Sequence, residues 1–334
     1  MRLETRQAFN AYLQQIAQLN GVPSAAEKFA VTNPVQQTLE SKMQDTSDFL
    51  QRINVVPVTE QIGQVLGLGV SGPIAGRTDT TSADRATTDV SALDGIDYVC
   101  KQTNYDTHIR YATLDLWAKF PDFQTRLRDA ILRRQALDRI MIGFNGTSAA
   151  NTTNKGTNPL LQDVNIGWIQ KWTADKAANV VTGGATAGTV KVGATGDYKN
   201  MDALVYDVVN SLIDPWYRMD PGLVVVISRD LLADKYFPML NQSLAPSEQL
   251  SADLVISQKR MGGLQAVAVP FMPTNALMVT TLDNLSIYYQ EGARRRTVID
   301  NAKRDRIENY ESSNDAYVVE DYGRGCVVKN IALV

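Results

Sequence analysis

The residues of this 334-residue chain that could carry chemistry are few and scattered. The only histidine, His108, has no second histidine or cysteine near it in the sequence with which to share a metal ion. Cys100 and Cys326 lie too far apart for a metal-binding spacing, so we expect two free thiols. The acidic residues are dispersed, without the context of a catalytic pair. The sequence therefore predicts no catalytic residues, no metal site and no enzymatic activity.

The segment GLGVSG at 67–72 has the glycine spacing of a dinucleotide-binding loop. Such a loop must open directly into a helix, whose N-terminus faces the pyrophosphate. Here Pro73, Gly76 and a run of Thr, Ser and Asp follow, and this composition does not form a helix. We therefore expect no bound cofactor.

The charge balance argues against a dedicated nucleic-acid-binding protein. There are 33 basic and 36 acidic residues, a formal net charge of −3, whereas such proteins carry a marked basic excess. The run Arg294, Arg295, Arg296 could contact a phosphate or an acidic neighbour, but a solvent-exposed strand edge is the simpler interpretation. No apolar run approaches 18 residues and the start lacks an apolar signal segment, so neither a membrane span nor secretion is expected.

The longest helical pattern lies within 113–146. Apolar residues recur at helical spacing from Phe123 to Phe144, and opposite charges four apart occupy the other face. About 23 residues make a rod of roughly 35 Å, which can brace a molecule wider than one compact domain. Before it, 4–19 and 33–53 read as two amphipathic helices joined by a polar hinge, the pattern of an arm or of a plain helical hairpin.

A long polar segment separates the arm from the long helix. Strands are predicted at 64–70 and 96–111, and 71–95 between them has almost no large apolar residue. This is a β-hairpin whose tip cannot bury itself, and isolated hairpins are marginal in water. A neighbouring subunit is a natural support. Further on, helices predicted over 200–213, 229–240 and 247–256 alternate with apolar strands over 223–227, 266–269 and 277–281. The C-terminal part reads as strands at 285–290, 294–300, 304–310 and 317–320, most of them charged, and closes with an apolar strand over 326–333.

Several segments together resemble one family, the major capsid proteins of P2-like tailed phages. The resemblance is collinear over nearly the whole chain. It rests on ETRQAFNAYL (4–13), SDFLQRINVVPV (47–58), TLDLWAKFPDFQ (113–124), RRQALDRIMIGFNG (133–146), NPLLQDV (158–164), IDPWY (213–217), LLADKYFP (231–238), ISQKRMG (256–262), NLSIYYQEG (284–292) and DRIENYESSNDAYVVEDYGRGC (305–326).

The resemblance implies an α+β protein with the HK97-like capsid fold. Residues 1–54 then correspond to an N-terminal pro-segment and arm, and 55–111 to an extended loop. Residues 112–165 and 285–318 correspond to a peripheral domain with its spine helix, and 166–284 and 319–334 to an axial domain. The function implied is self-assembly into hexamers and pentamers of an icosahedral phage head around double-stranded DNA, within the bacterial cytoplasm.

The same resemblance implies partners and sites. The partners are further copies of the chain, an internal scaffold with a maturation protease, a portal protein and packaged DNA bound without sequence preference. A processing junction is expected within 27–31, at Phe29 and Ala30. We expect the helix face of Phe9, Leu13 and Ile16 to hold the scaffold. The set expected to contact a neighbouring subunit is Gly72, Arg77, Asp79 and Arg85.

Two other functions fit parts of the sequence. A non-viral compartment shell of the same fold would be distinguished by a co-packaged enzyme in place of DNA. An α/β enzyme centred on 198–282 would be distinguished by activity in a dispersed monomer.

Overall fold

The computed structural model describes residues 1–69, 75–87, 92–117, 123–240 and 259–334. The helices are α1 (Leu3–Asn20), α2 (Asn33–Asp45), α3 (Asp48–Arg52), α4 (Tyr111–Trp117), α5 (Phe123–Asn145), α6 (Trp168–Asp175), α7 (Met201–Leu212) and α8 (Arg229–Leu240). The strands are β1 (Phe29–Ala30), β2 (Asn54–Val58), β3 (Ile62–Gly69), β4 (Ala92–Val99), β5 (Lys101–Asn104), β6 (Thr107–Arg110), β7 (Val180–Val181), β8 (Val190–Val192), β9 (Leu223–Ile227), β10 (Arg260–Met261), β11 (Leu264–Ala268), β12 (Leu277–Thr281), β13 (Leu285–Gln290), β14 (Arg295–Asn301), β15 (Arg306–Val319), β16 (Cys326–Val328) and β17 (Ile331–Leu333).

The larger sheet has seven strands and is organised around β15, which is 14 residues long. β15 pairs antiparallel with β14, β13, β5 and β6. β1 extends the sheet beyond β14, and β2 extends it beyond β13 in parallel. Residues distant in sequence, from the arm to the C-terminal part, therefore meet in one sheet.

The second sheet has six strands in the order β10-β11-β9-β12-β16-β7. Its centre is β9, whose sequence LVVVI is buried at all five positions, as expected for a strand covered on both faces. α7 covers one face through Leu204, Val205 and Val208, which recur at helical spacing and are almost fully buried.

The two sheets share one continuous core next to α5. Trp168 on α6 packs against Phe144 on α5, with ring centroids 5.3 Å apart, and against Tyr317 on β15 at the same distance. The indole N–H of Trp168 donates to the Ser286 carbonyl at 3.1 Å, so its polar atom is satisfied. Gly143 makes room for this ring, since a Cβ there would lie 2.3 Å from it.

The predicted long helix is confirmed, and its predicted apolar face is buried in part: Ile140, Met141 and Phe144 are buried. α5 is 23 residues long. Ala130 is exposed and Leu127 only half-buried, whereas Gln135 and Arg139 are buried. Gln135 and Arg139 are accommodated in the interior because each has a hydrogen-bond partner there. A purely apolar pattern would place hydrophobic residues at these two positions.

Several predicted strands and helices have different bounds. The strand predicted over 96–111 is interrupted, because β4 pairs with β3 while β5 and β6 pair with β15. Predicted strands near 304–310 and 317–320 form the single strand β15. The polar residues between the two predicted strands are buried and hydrogen-bonded. Their polarity predicted a loop, although the strand continues through them. The helix predicted over 33–53 breaks at Thr46 and Ser47, where the Thr46 hydroxyl donates to the Met43 carbonyl at 2.7 Å.

The strand predicted at the C-terminus is divided in two. β16 and β17 are separated by Asn330, whose φ of 58° turns the chain. A helix predicted over 247–256 lies outside the described residues. No helix in the described part of the chain is long and apolar enough to cross a membrane.

Candidate functional site: the ion-pair cluster, the arm and the hairpin

Five charged side chains meet in the interior beside α5. We call Glu40, Arg139, Arg294, Glu311 and Asp315 the ion-pair cluster; each is at most 7% exposed. Arg139 holds Asp315 with two hydrogen bonds, from Nε at 3.1 Å and from Nη2 at 3.0 Å. Arg294 donates from Nε to Glu311 at 2.8 Å and from Nη1 to Glu40 at 2.9 Å. Glu40 also accepts from Arg139 and so bridges the two guanidinium groups.

The electrostatics of this cluster favour the charged form of every group whose pKa is shifted. Burial would lower the pKa of Arg139, but Asp315 and Glu40 raise it well above its usual value. Burial likewise opposes the charge of Arg294, and Glu311 and Glu40 raise its pKa. The pKa of Glu311 would rise on burial, but Arg294 and Arg296 hold it below the ordinary value. Two positive and three negative charges are thus stabilised by one another.

The ion-pair cluster joins elements that are far apart in sequence. Glu40 lies on α2, Arg139 on α5, and Glu311 and Asp315 on β15. The hydroxyl of Tyr105, between β5 and β6, donates to Asp315 at 3.4 Å. The segment that joins β5 to β6 therefore also contacts the ion-pair cluster. Because its acceptors are occupied by its own donors, the cluster fixes positions rather than performing a reaction.

The sequence did not predict this cluster. The preferred interpretation of Arg294 to Arg296 as a solvent-exposed edge is wrong for Arg294, which is 0% exposed and meets acidic neighbours. Arg296 is half-buried and donates to Asn309, while Arg295 is exposed. One signal in the sequence could have indicated the cluster. Arg139 follows Leu132 and Ala136 at helical spacing, so a charged residue lies on the same helix face as two apolar residues.

The arm helix α1 packs on its own chain. Phe9 and Ile16 are buried and Leu13 is partly buried, against Val298 on β14 and Ile307 on β15. The remaining member of the predicted stripe, Leu19, is 62% exposed and does not belong to it.

The predicted processing junction lies in a strand. Phe29 and Ala30 form β1, opposite Arg296 and Arg295 of β14. Phe29 is buried and Ala30 exposed. Backbone hydrogen bonds on both sides extend the contact, from Val31 to the Arg294 carbonyl at 2.8 Å and from Val298 to the Ala25 carbonyl at 3.0 Å.

The hairpin of β3 and β4 is a separate two-stranded sheet. Its base packs on the larger sheet, where the Tyr98 ring lies 5.1 Å from that of Tyr288. At its far end residues 75–87 are all exposed, including Arg77, Asp79 and Arg85. Asp79 accepts hydrogen bonds from the Thr81 hydroxyl and backbone, which lower its pKa. Gly72 lies outside the described residues.

The glycine segment, the histidine and the two cysteines lie in strands or in the core. Gly67 of the GLGVSG segment is part of β3, opposite Asp94, and not in a loop before a helix. His108 is an exposed residue of β6. Cys100 and Cys326 are buried free thiols, and burial raises the pKa of each to about 12. Within the described residues, no group of three His, Cys, Asp or Glu could hold a metal ion.

Comparison with known proteins identifies the family. The chain matches the family described as "Phage major capsid protein, P2 family" over residues 8–331. It is 51% identical to the "Capsid proteins" of Escherichia phage P2, over 99% of this chain and 95% of that protein. It is 42% identical to the major capsid protein of Serratia phage KSP20, over 98% and 96%.

A solved structure agrees with these sequence matches. A chain of the satellite phage P4 procapsid, which includes the size determination (Sid) protein, superposes with a TM-score of 0.83 at 49% identity. The match covers 100% of this chain and 99% of that one. These relatives are structural capsid proteins, which favours a phage head over the compartment shell. The chain therefore belongs to the P2 family of phage major capsid proteins: it has the HK97-like fold, assembles with further copies of itself and forms the icosahedral shell of a virion.

Proposed function

We propose that the chain forms hexamers and pentamers in which each hairpin lies on a neighbouring subunit, and that the closed head holds double-stranded DNA. The observation that carries this proposal is the exposure of every residue in 75–87 on a hairpin whose base packs on the larger sheet. A contact between two different patches of identical subunits closes around a five-fold or six-fold axis. Many weak contacts of this kind sum to a stable shell.

The sheets support a division into functional regions. We assign 1–54 to the pro-segment and arm, and 55–111 to the extended loop. We assign 112–165 with 285–318 to the peripheral domain, since Gln135 and Arg139 of α5 donate hydrogen bonds to Glu311 and Asp315 of β15 in the larger sheet. We assign 166–284 with 319–334 to the axial domain, which contains the second sheet. The strands β2, β5 and β6 belong to the larger sheet, so the projecting part of the loop is the hairpin between them.

Photocrosslinking tests the hairpin contact. A benzophenone maleimide on Arg77→Cys labels a single site, because Cys100 and Cys326 are buried thiols. Irradiated particles should yield covalent dimers, and dispersed subunits should yield none. Crosslinks confined to the chain's own body in particles would disprove the neighbouring-subunit contact.

We propose further partners and no enzymatic activity. The partners are an internal scaffold with a maturation protease, held through α1, and a portal protein. Phe9→Asp with Leu13→Asp should lower the scaffold content of particles on a gel. Gln7→Asp with Gln14→Asp is the matched control, since both glutamines are exposed on the other face of α1. Equal scaffold content in the two double variants would rule out this role of the apolar face.

We also propose cleavage between Phe29 and Ala30. A protease binds its substrate in an extended conformation, and this junction is already a strand at the end of the larger sheet, paired with β14 along one edge. Intact mass of the chain from mature particles should correspond to a chain that begins at Ala30. A mass that retains Met1 would contradict the proposal.

A further inference from the structure

The apolar face of α1 is already occupied, and this constrains any other use of it. Phe9 and Ile16 are 7% and 6% exposed in a cluster with Val298 and Ile307. Tyr111 and Leu114 of α4 pack against the same cluster. We call the surface made by Tyr111, Leu114, Asp115, Val298, Asp300 and Ile307 the α1 groove. Its floor is apolar, and its two carboxylates lie at the rim.

The rim matches α1 in charge as well as in shape. Arg6 forms an ion pair with Asp300, which also accepts a hydrogen bond from Tyr111. At the start of the helix, the Arg2 backbone N–H donates to Asp115 at 2.9 Å, and the terminal ammonium lies 3.7 Å from the same carboxylate. The groove thus recognises an amphipathic helix with a basic residue in its first turn, at the position of Arg6.

The outward face of α1 offers no alternative apolar surface. Its exposed residues are Arg2, Leu3, Glu4, Gln7, Ala8, Asn10, Ala11, Gln14, Gln15, Gln18 and Leu19. Only two of these side chains are large and apolar, Leu3 and Leu19, which are 16 residues apart and lie at opposite ends of the helix. Contact of another protein with Phe9, Leu13 and Ile16 therefore excludes contact of α1 with the groove.

We propose that the α1 groove is a helix-docking site whose resident ligand is the chain's own α1, and that α1 presents its apolar face to another protein only after leaving it. The second half rests on the proposed scaffold role of α1. Docking is then an autoinhibited state of the free subunit, and assembly partners compete with the groove for one helix face. An undocked α1 also loses its main source of order, because most of the stability of a helix in a protein comes from the packing of its apolar face.

Charge reversal in the full-length, unassembled subunit tests docking. Asp300→Arg leaves α1 itself unchanged but places two like charges together. Hydrogen–deuterium exchange over residues 3–20 should accelerate roughly tenfold or more, as expected for loss of a charge-assisted hydrogen bond. Adding Arg6→Asp to Asp300→Arg should restore protection. Asp129→Arg, at an exposed ion pair on α5, is the matched control and should change nothing in α1.

A second measurement probes the groove itself. A fluorescent peptide with the sequence of residues 1–29 should bind the Arg6→Asp, Phe9→Asp chain, whose own helix is weakened and whose groove is intact. It should bind the unaltered chain at least about tenfold more weakly, because the tethered helix competes at high effective concentration. Circular dichroism of the variant should show that the body of the subunit is folded before the peptide is added. Equal binding to both chains, or unchanged exchange in Asp300→Arg, would overturn the groove. Accelerated exchange in Asp300→Arg without any change in the scaffold content of its particles would support the groove and reject the scaffold role instead.

Discussion

At the scale of single residues, the ion-pair cluster is one of the features that fix the arm to the rest of the chain. Burying five charges is costly, and attraction between them offsets that cost only while every partner is present. Glu40 is the sole member contributed by the arm, and it contacts both arginines. Loss of one member therefore leaves uncompensated charge in the core.

Removing Arg294 should destabilise the subunit strongly. Arg294→Met leaves Glu40 and Glu311 buried with fewer donors, and we expect a loss of about 3–5 kcal/mol in the free energy of unfolding. Arg52→Met is the matched control, because Arg52 pairs with Asp48 at the surface. That control should cost less than about 1 kcal/mol. Urea denaturation of unassembled subunits measures both, and similar losses in the two variants would refute a special role for the cluster.

The depressed pKa of Glu311 predicts an acid-sensitive stability. Its folded-state pKa lies below the unfolded value, so its contribution is full above about pH 4.3 and is lost as pH falls through the lower folded pKa. Stability of the unaltered subunit should therefore fall with pH in this acidic range. Glu311→Gln should be less stable at neutral pH and show a shallower decline. Parallel stability curves for the two proteins would mean that Glu311 does not carry this dependence.

The strand positions of individual residues were predicted in places, but the cluster was not. His108 and Gly67 lie in strands, as their neighbours indicated. The cluster was missed because its five members span residues 40 to 315, and no local pattern reveals that five distant charges converge. Arg139 was the one local indication, because it is a charged residue on the buried face of a helix.

At the scale of elements, the hairpin should be dispensable for folding and essential for assembly. Residues 75–87 bury nothing within the chain, so replacing them with a short Gly-Ser linker should leave the free energy of unfolding unchanged within about 0.5 kcal/mol. Shell formation should be lost. Equal-length replacement of 183–188, a surface turn near β8, serves as the control and should retain assembly. Normal particles from the 75–87 variant would contradict the proposed role of the hairpin.

Elements with strong periodicity were predicted well. β9 was predicted at its observed bounds, and α1, α5 and α7 within a residue or two, because apolar spacing sets their burial. The errors cluster where partners come from far along the chain. β15 appeared broken since its polar middle is satisfied by Arg139, Arg294 and Tyr105, and 96–111 appeared continuous although it changes partner strand at Cys100.

At the scale of the whole molecule, a net charge of −3 suits a container that releases DNA. We expect only local, sequence-independent DNA contact through arm residues such as Arg2, Arg6 and Lys28. Arg2 and Lys28 are exposed. Arg6 forms an ion pair with Asp300, so its guanidinium is less available to a DNA phosphate. The logarithmic salt dependence of DNA binding by unassembled subunits should have a slope shallower than about −5. A steeper slope, or a preference among duplex sequences, would point to a nucleic-acid-binding function.

Cryo-electron microscopy of particles formed by the full-length chain with its scaffold tests the central claim most directly. The structure predicts closed icosahedral shells of hexamers and pentamers, with density for the hairpin of residues 62–99 lying across an adjacent subunit. Open sheets, dispersed monomers, or closed shells in which each hairpin folds back on its own subunit would contradict it.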